Sequence, residues 1–211
     1  HEAARAVEPV VEEEIHTAVR NVELLYADET SWKEHGRLLW LWVFTCASTT
    51  LFIVGPRSRE IVARVLGEDF RNWLMSDGYW AYREIDQRLR CLAHVIRKAR
   101  GLEESFDAPA QRFGRRLLEV LETLIEAVYH ARGAPEHAID LRARHGPLLN
   151  GLFEDCRHHA EASHEKTRAL ARELLNDWDT FWVVLDHPQL PLTNNEAERA
   201  LRHWVIARRI G

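Results

Sequence analysis

Val22-Glu23-Leu24-Leu25-Tyr26-Ala27-Asp28 opens the stretch on which the fold turns. Leu38 to Thr45 and Thr50 to Val54 follow it, each short, apolar or β-branched, and each bounded by polar or turn-forming residues. Runs of this kind read as strands, and connections this short make them antiparallel neighbours. Gly55-Pro56 breaks the third strand, Ser58 offers an N-cap for a helix through Leu66, and Gly67 supplies its stop. Trp73 to Ser76 reads as a fourth strand, Tyr79 to Ile85 as a short helix or turn, Leu89 to Leu92 as a fifth strand, and His94 to Gly101 as a helix.

Outward from this stretch the pattern changes. Residues 7 to 20 carry Val10, Val11, Ile15 and Val19 near a helical period. From Pro109 onward Phe113, Leu117, Val120, Leu121, Leu124, Ile125, Val128 and Tyr129 form a long apolar helix face, closed by Gly133 and Pro135. A further helical region is expected from about His137, interrupted at Gly146-Pro147 and Gly151, and then one long helix from about Ser163 to Leu185. Pro188 and Pro191 end that block, and Thr193 or Asn194 can cap a last helix carrying Glu198, Leu201, Trp204 and Val205.

Three strands, helix, strand, helix, strand, helix agrees with an α/β fold built on a ribonuclease H-like mixed sheet, with a helical insertion before the last helix. Other α/β folds share those connections. The expected organisation is a helical extension over 1–21, the first part of the core over 22–108, the insertion over 109–187, and the final helix over 188–211. The chain stops just after a basic run, which reads as the end of a fragment.

A length of 211 residues accommodates one domain with a sizeable insertion, and 46% hydrophobic against 29% charged residues excludes a disordered tail. Leu38 to Ala47, the longest apolar stretch, is too short for a membrane span, and no basic leader precedes an apolar run, so a cytoplasmic, membrane-free protein is expected. Cys46, Cys91 and Cys156 are odd in number and far apart, which fits reduced thiols better than a disulfide framework. The net charge of -5 hides an asymmetry. Residues 1 to 29 hold eight acids against two arginines, whereas Arg83 to Arg116 holds nine basic residues against five acids, and no acid follows Glu198. A basic groove on an acidic body would produce this pattern, and so would ordinary solvated helices.

Three acids are the candidates for chemistry. Asp28 and Asp77 each end a strand-like run, and Glu198 stands in the opening turns of the last helix. Carboxylates on separate elements can converge on divalent metal, Mg²⁺ or Mn²⁺, with two ions expected for phosphoryl transfer. Asp28 with Glu29 and Thr30, or Asp77 with Gly78, would equally suit a turn. Asp77 follows Asp28 by 49 residues, comfortable for three strands and a helix, and Glu198 follows Asp77 by 121, which the helical insertion accounts for.

Tyr26-Ala27-Asp28-Glu29-Thr30, Ser76-Asp77-Gly78-Tyr79 with Tyr82, Cys91-Leu92-Ala93-His94 with Arg97-Lys98, and Leu192-Thr193-Asn194-Asn195-Glu196-Ala197-Glu198-Arg199-Ala200-Leu201-Arg202 resemble, in order, the motifs of transposases of the insertion sequence 66 family. The resemblance runs from about residue 22 to the end. It implies a ribonuclease H-like catalytic domain whose Asp-Asp-Glu triad, Asp28, Asp77 and Glu198, cuts transposon ends and joins them to target DNA. It further implies a bacterial, nucleoid-associated enzyme, homo-oligomeric when active, with no small-molecule cofactor. Glu196 is the rival third acid. About 200° of helix rotation separates it from Glu198, so both cannot face one metal pair.

The remaining candidates lie around these motifs. Arg97, Lys98, Arg199, Arg202, Arg208 and Arg209 are candidate phosphate contacts, the last four because the motif brings the final helix to the catalytic face. Cys91 and His94 have the two-residue gap of a metal pair, but four ligands would be needed for zinc; the resemblance makes them, with Asn195, structural or near-site residues. Among eight tryptophans, Trp80 is the candidate for stacking on DNA, and Trp204 is expected in the core.

Overall fold

The computed structural model describes residues 7–134 and 139–210. The start of the expected N-terminal extension and the helix start near His137 lie outside the described residues. The chain divides into two compact units, His1–Arg88 with Asn194–Gly211, and Leu89–Thr193.

In the first unit, β1 (Leu24–Glu34), β2 (Arg37–Thr45) and β3 (Thr50–Gly55) form an antiparallel meander. β4 (Trp73–Ser76) pairs parallel to β1, and β5 (Arg88–Arg90), within which the two units divide, completes a mixed sheet of order β3-β2-β1-β4-β5. This α/β arrangement is compatible with a ribonuclease H-like fold.

Two boundaries differ from expectation. β1 does not stop at Ala27 but continues through Asp28 to Glu34, because His35 (φ 47°) and Gly36 (φ 77°) make a two-residue turn that lets Glu34 pair with Arg37. Positive φ at both central residues gives a hairpin the twist its strands need. β5 is three residues long, and Leu92 opens the following helix instead of ending a strand.

Alternation along the strands gives the sheet two buried faces. Leu25, Ala27, Trp42, Phe44 and Leu51 pack with Val19 of α1 (His16–Arg20) and with Ile61, Val62, Val65 and Leu66 of α2 (Arg59–Leu66). As expected, Ser58 precedes α2, and Gly67 (φ 76°) ends it by donating its N–H to the Ala63 carbonyl at 2.8 Å. Tyr26, Trp32, Leu41, Val43 and Phe52 face the other way, against Ala197, Ala200 and Leu201. These belong to the last helix of the chain, Asn195–Ile210. Burial of Leu201 alone contributes about 2 kcal/mol to holding that helix on the sheet.

The second unit is helical. α3 (Leu92–Glu103) packs on α4 (Ala108–Arg132), whose N-terminus is capped by Asp107 accepting from Ala110 N–H at 2.8 Å. Gly114 is where the two approach closely: a Cβ there would stand 2.6 Å from the Ala99 carbonyl oxygen and 2.6 Å from the Glu103 nitrogen. α5 (Leu141–His159) runs unbroken through Gly146-Pro147 and Gly151, against the expected interruption. Pro147 forfeits its bond to the Ala143 carbonyl and crowds that carbonyl, at a cost of about 3 kcal/mol. The Asp140 cap and the buried Leu141, Leu149, Leu152 and Cys156 hold the helix through it.

The long helix expected from Ser163 to Leu185 is instead α6 (Glu165–Asn176), α7 (Trp178–Trp182) and a 3₁₀ turn at Val183–Leu185. The break is at Asp177, which leaves helical geometry (φ -118°, ψ 28°) and pairs with the buried Arg90, itself also bound to Glu173 at 2.5 Å. A buried guanidinium without carboxylates would be far costlier than one helix kink. The final helix, Asn195–Ile210, is α8.

Candidate active site

Asp28 and Asp77 are brought level by strand register. β1 and β4 pair Leu24 with Trp73, Leu25 with Leu74 and Tyr26 with Met75, so two residues further along the same parallel register Asp28 stands beside Asp77. Asp77 follows the last residue of β4, as expected. Asp28 lies inside β1 rather than at its end, a consequence of the longer hairpin. Each aspartate has its Oδ1 held by a backbone N–H, Asp28 by Glu29 at 2.8 Å and Asp77 by Tyr79 at 3.0 Å. For Asp77 that bond closes a turn, as the turn-forming reading of Asp77-Gly78 expects.

Glu198 comes from the opening turns of α8, and the chain anchors that helix beside Asp28. Asn194, fully buried and immediately before α8, donates its side-chain N–H to the Ala27 carbonyl at 2.8 Å, and its own carbonyl accepts the Glu198 N–H at 3.1 Å. Ala197 and Leu201 then fill the sheet face, which turns Glu198 inward as a half-buried side chain. Glu196 points out, exposed and paired with Arg199 at 3.0 Å.

The electrostatics register this convergence. The Asp28 carboxyl is pushed from 3.8 to about 8, first by burial, then by Asp77, with Glu29 and Glu198 adding to the rise and the Glu29 N–H opposing it. Like charges around a desolvated acid keep its proton on at neutral pH. A donor set of three carboxylates fits hard divalent cations such as Mg²⁺ or Mn²⁺, whose charge reverses that repulsion.

Behind Asp28 lies a group that the sequence pattern did not single out. Alternation turns Glu29 to the opposite face, where its fully buried carboxylate accepts from Arg57 Nε and Nη2 at 3.1 and 2.7 Å and from the Tyr82 hydroxyl at 2.9 Å. Burial and Asp77 raise its pKa, while Arg57 and Tyr82 oppose the rise. The available signal was an acid at the third position of the apolar series Leu25, Ala27, Glu29, visible only once β1 is known to continue.

The other candidates are distributed as follows. Arg199 and Arg202 are exposed on α8, and Arg199 is engaged by Glu196. Arg208 donates to the Ser31 carbonyl and to Thr30 Oγ1 at 3.1 Å, tying α8 to the far half of β1. The side chain of Arg209 lies outside the described residues. In the helical unit Arg97 is exposed, Lys98 is bound to Glu173 at 2.5 Å, Cys91 is buried just before α3, and His94 is half-buried in its first turn. Asn195 is exposed at the start of α8, and its neighbour Asn194 takes the inward position. Trp80 is 53% exposed in the 3₁₀ turn after Asp77. Trp204, expected in the core, is 43% exposed and meets Trp32 and Phe52 by ring edges at 6.2 and 5.8 Å, because it stands at the rim of the α8 contact.

No helix among the described residues is long and apolar enough to cross a membrane. The family model described as "Transposase IS66 family" matches the chain over residues 1–211. No curated protein and no solved structure matches it.

Proposed function

Because the chain belongs to the IS66 transposase family, whose members are DDE transposases acting on DNA, we propose that it is a catalytic core in which Asp28, Asp77 and Glu198 hold two divalent cations for phosphodiester hydrolysis and strand transfer at transposon ends. The observation that carries this reading is geometric: the β1–β4 register sets Asp28 beside Asp77, and Asn194 anchors the start of the Glu198 helix on Ala27; the Asp28 carboxyl, raised to about 8 by burial and then by Asp77, agrees with it. Structural carboxylates are normally neutralised by Arg or Lys; acids gathered on one another are poised for a cation.

Bound Mg²⁺ or Mn²⁺ would supply Lewis acidity to the attacking water or 3' hydroxyl and to the leaving oxygen. The protein's own contribution is geometric. Asp28 and Asp77 are restrained by backbone N–H groups and Glu198 by the Asn194 anchor, so the three donors are ordered before substrate arrives. Arg199 and Arg202, exposed on the same helix as Glu198, are the proposed phosphate contacts, which would make DNA binding salt-dependent but not sequence-specific. A ribonuclease H-like fold, a homo-oligomeric active complex and a cytoplasmic, nucleoid-associated location accompany this reading.

Asp77→Asn tests it. The substitution is expected to abolish Mn²⁺-dependent nicking of supercoiled DNA while leaving the circular-dichroism spectrum intact, and nicking at the wild-type rate would overturn the assignment. Joining of precut transposon ends to a target separates a transposase from a nuclease confined to hydrolysis.

A further inference from the structure

The buried carboxylate behind Asp28 is linked to both aspartates through a continuous chain of contacts. Glu29 donates its N–H to Asp28 Oδ1 and accepts Arg57 and the Tyr82 hydroxyl on its side chain. The Arg57 guanidinium is sandwiched between the rings of Trp40 and Tyr79, 4.2 and 4.1 Å from their centroids. Tyr79 returns a hydroxyl to the Arg57 carbonyl at 2.8 Å and gives its N–H to Asp77 Oδ1 at 3.0 Å. Four elements thereby meet: β1, β2 through Trp40, the loop before α2, and the turn that follows Asp77.

An ion pair with one buried partner, as here with Glu29 buried and Arg57 partly exposed, is poor evidence for stability, since apolar side chains of similar volume usually do as well. Leu25 and Ala27 show that this face of β1 accepts apolar residues. What an apolar residue cannot do is fix two backbones at a set spacing. A guanidinium that donates twice to one carboxylate oxygen, Glu29 Oε1, and lies between two ring faces is restrained in position and orientation. Each end of the network terminates on an aspartate oxygen.

We infer that Glu29 is a positioning residue that, through Arg57, Tyr79 and Tyr82, sets the separation and orientation of Asp28 and Asp77 for divalent cation binding. The inference rests on the proposed catalytic site and concerns residues that do not themselves face the cation. Loosening the network leaves every ligand in place but costs the site its spacing, and changes of this kind typically weaken metal binding about 10- to 100-fold.

The test uses the full chain with Mn²⁺ alone, free Mn²⁺ being read by electron paramagnetic resonance, for wild type, Asp77→Asn, Glu29→Gln and Tyr82→Phe. Near-ultraviolet circular dichroism reports the fold, and Tyr82→Phe, which removes one oxygen, decides the matter if Glu29→Gln does not fold. The expected result is that Asp77→Asn loses binding and that folded Tyr82→Phe and Glu29→Gln bind about tenfold or more weakly. In DNA nicking the Mn²⁺ midpoint should rise while the rate at saturating Mn²⁺ recovers; a general structural defect would lower the saturated rate without moving the midpoint. Wild-type Mn²⁺ affinity in Tyr82→Phe and Glu29→Gln, with binding lost in Asp77→Asn, would overturn the positioning role and leave the site standing. Wild-type affinity in Asp77→Asn would remove the site and this inference together.

Discussion

Asp28→Asn is expected to make the protein more stable, by an amount that grows with pH. Asn keeps the shape and the Oδ1 acceptor for the Glu29 N–H, but cannot ionise. In the folded wild type the acid holds its proton up to about 8, whereas unfolded it ionises near 3.8. Between those values the folded state binds the extra proton, so ionisation favours the unfolded chain, and wild-type stability falls as pH rises. The slope for one proton is about 1.4 kcal/mol per pH unit, so the advantage of Asp28→Asn should widen by about 3 kcal/mol from pH 5 to pH 7 and level off above about pH 8. Urea denaturation in EDTA measures the difference, with hydrogen exchange of β1 and β4 amides isolating the unit concerned. Saturating Mg²⁺ should narrow the gap by binding only the folded wild type. A stability difference that does not change between pH 5 and pH 8 would refute the reasoning.

The two acids of α8 should behave differently. Glu198→Gln is expected to reduce metal-dependent nicking by at least about a hundredfold, and Glu196→Gln to leave it within a few-fold, since Glu196 is exposed and paired with Arg199; steady nicking assays decide, and the reverse ranking would reassign the third ligand. Asn194→Ala removes the donor to the Ala27 carbonyl and should cost about 1–3 kcal/mol in urea denaturation, together with weaker Mn²⁺ binding. Gly114→Ala should lower the stability of the helical unit by about 1–3 kcal/mol, because the added methyl meets backbone atoms of α3 that cannot swing aside; a thermal melt unchanged from wild type would show that α3 and α4 separate more easily than their packing suggests.

What could be read in advance follows the range of the interactions involved. β2, β3, β4 and α2 announce themselves locally, through apolar runs, Ser58 and Gly67. The outer half of β1 does not: Asp28, Glu29, Ser31, Lys33 and Glu34 look like a turn, and only pairing with β2 makes them a strand. Asp177 likewise breaks a helix for the sake of Arg90, 87 residues away. Asp28, Asp77 and Glu198 could be nominated by residue type and spacing; the helical period says only that Glu196 and Glu198 cannot both face one cation pair, and the preference for Glu198 comes from the motif resemblance. Asn194, Glu29 and Arg57 could not be nominated, because their significance lies in partners 167, 28 and 22 residues distant.

The first unit is assembled from both ends of the sequence, with Leu89–Thr193 between them. During synthesis the sheet, with Asp28 and Asp77, leaves the ribosome well before Asn194 and Glu198 exist. At about 5–20 residues per second the interval is on the order of 5–20 s. Through that time Tyr26, Trp32, Leu41 and Val43 lack the helix that covers them. An unfinished chain therefore exposes an adhesive sheet face and carries only two of its three acids. Under the proposed assignment, nascent and prematurely terminated products would be prone to aggregation but unable to cut DNA, so the order of the segments along the chain withholds a hazardous activity until translation has passed α8.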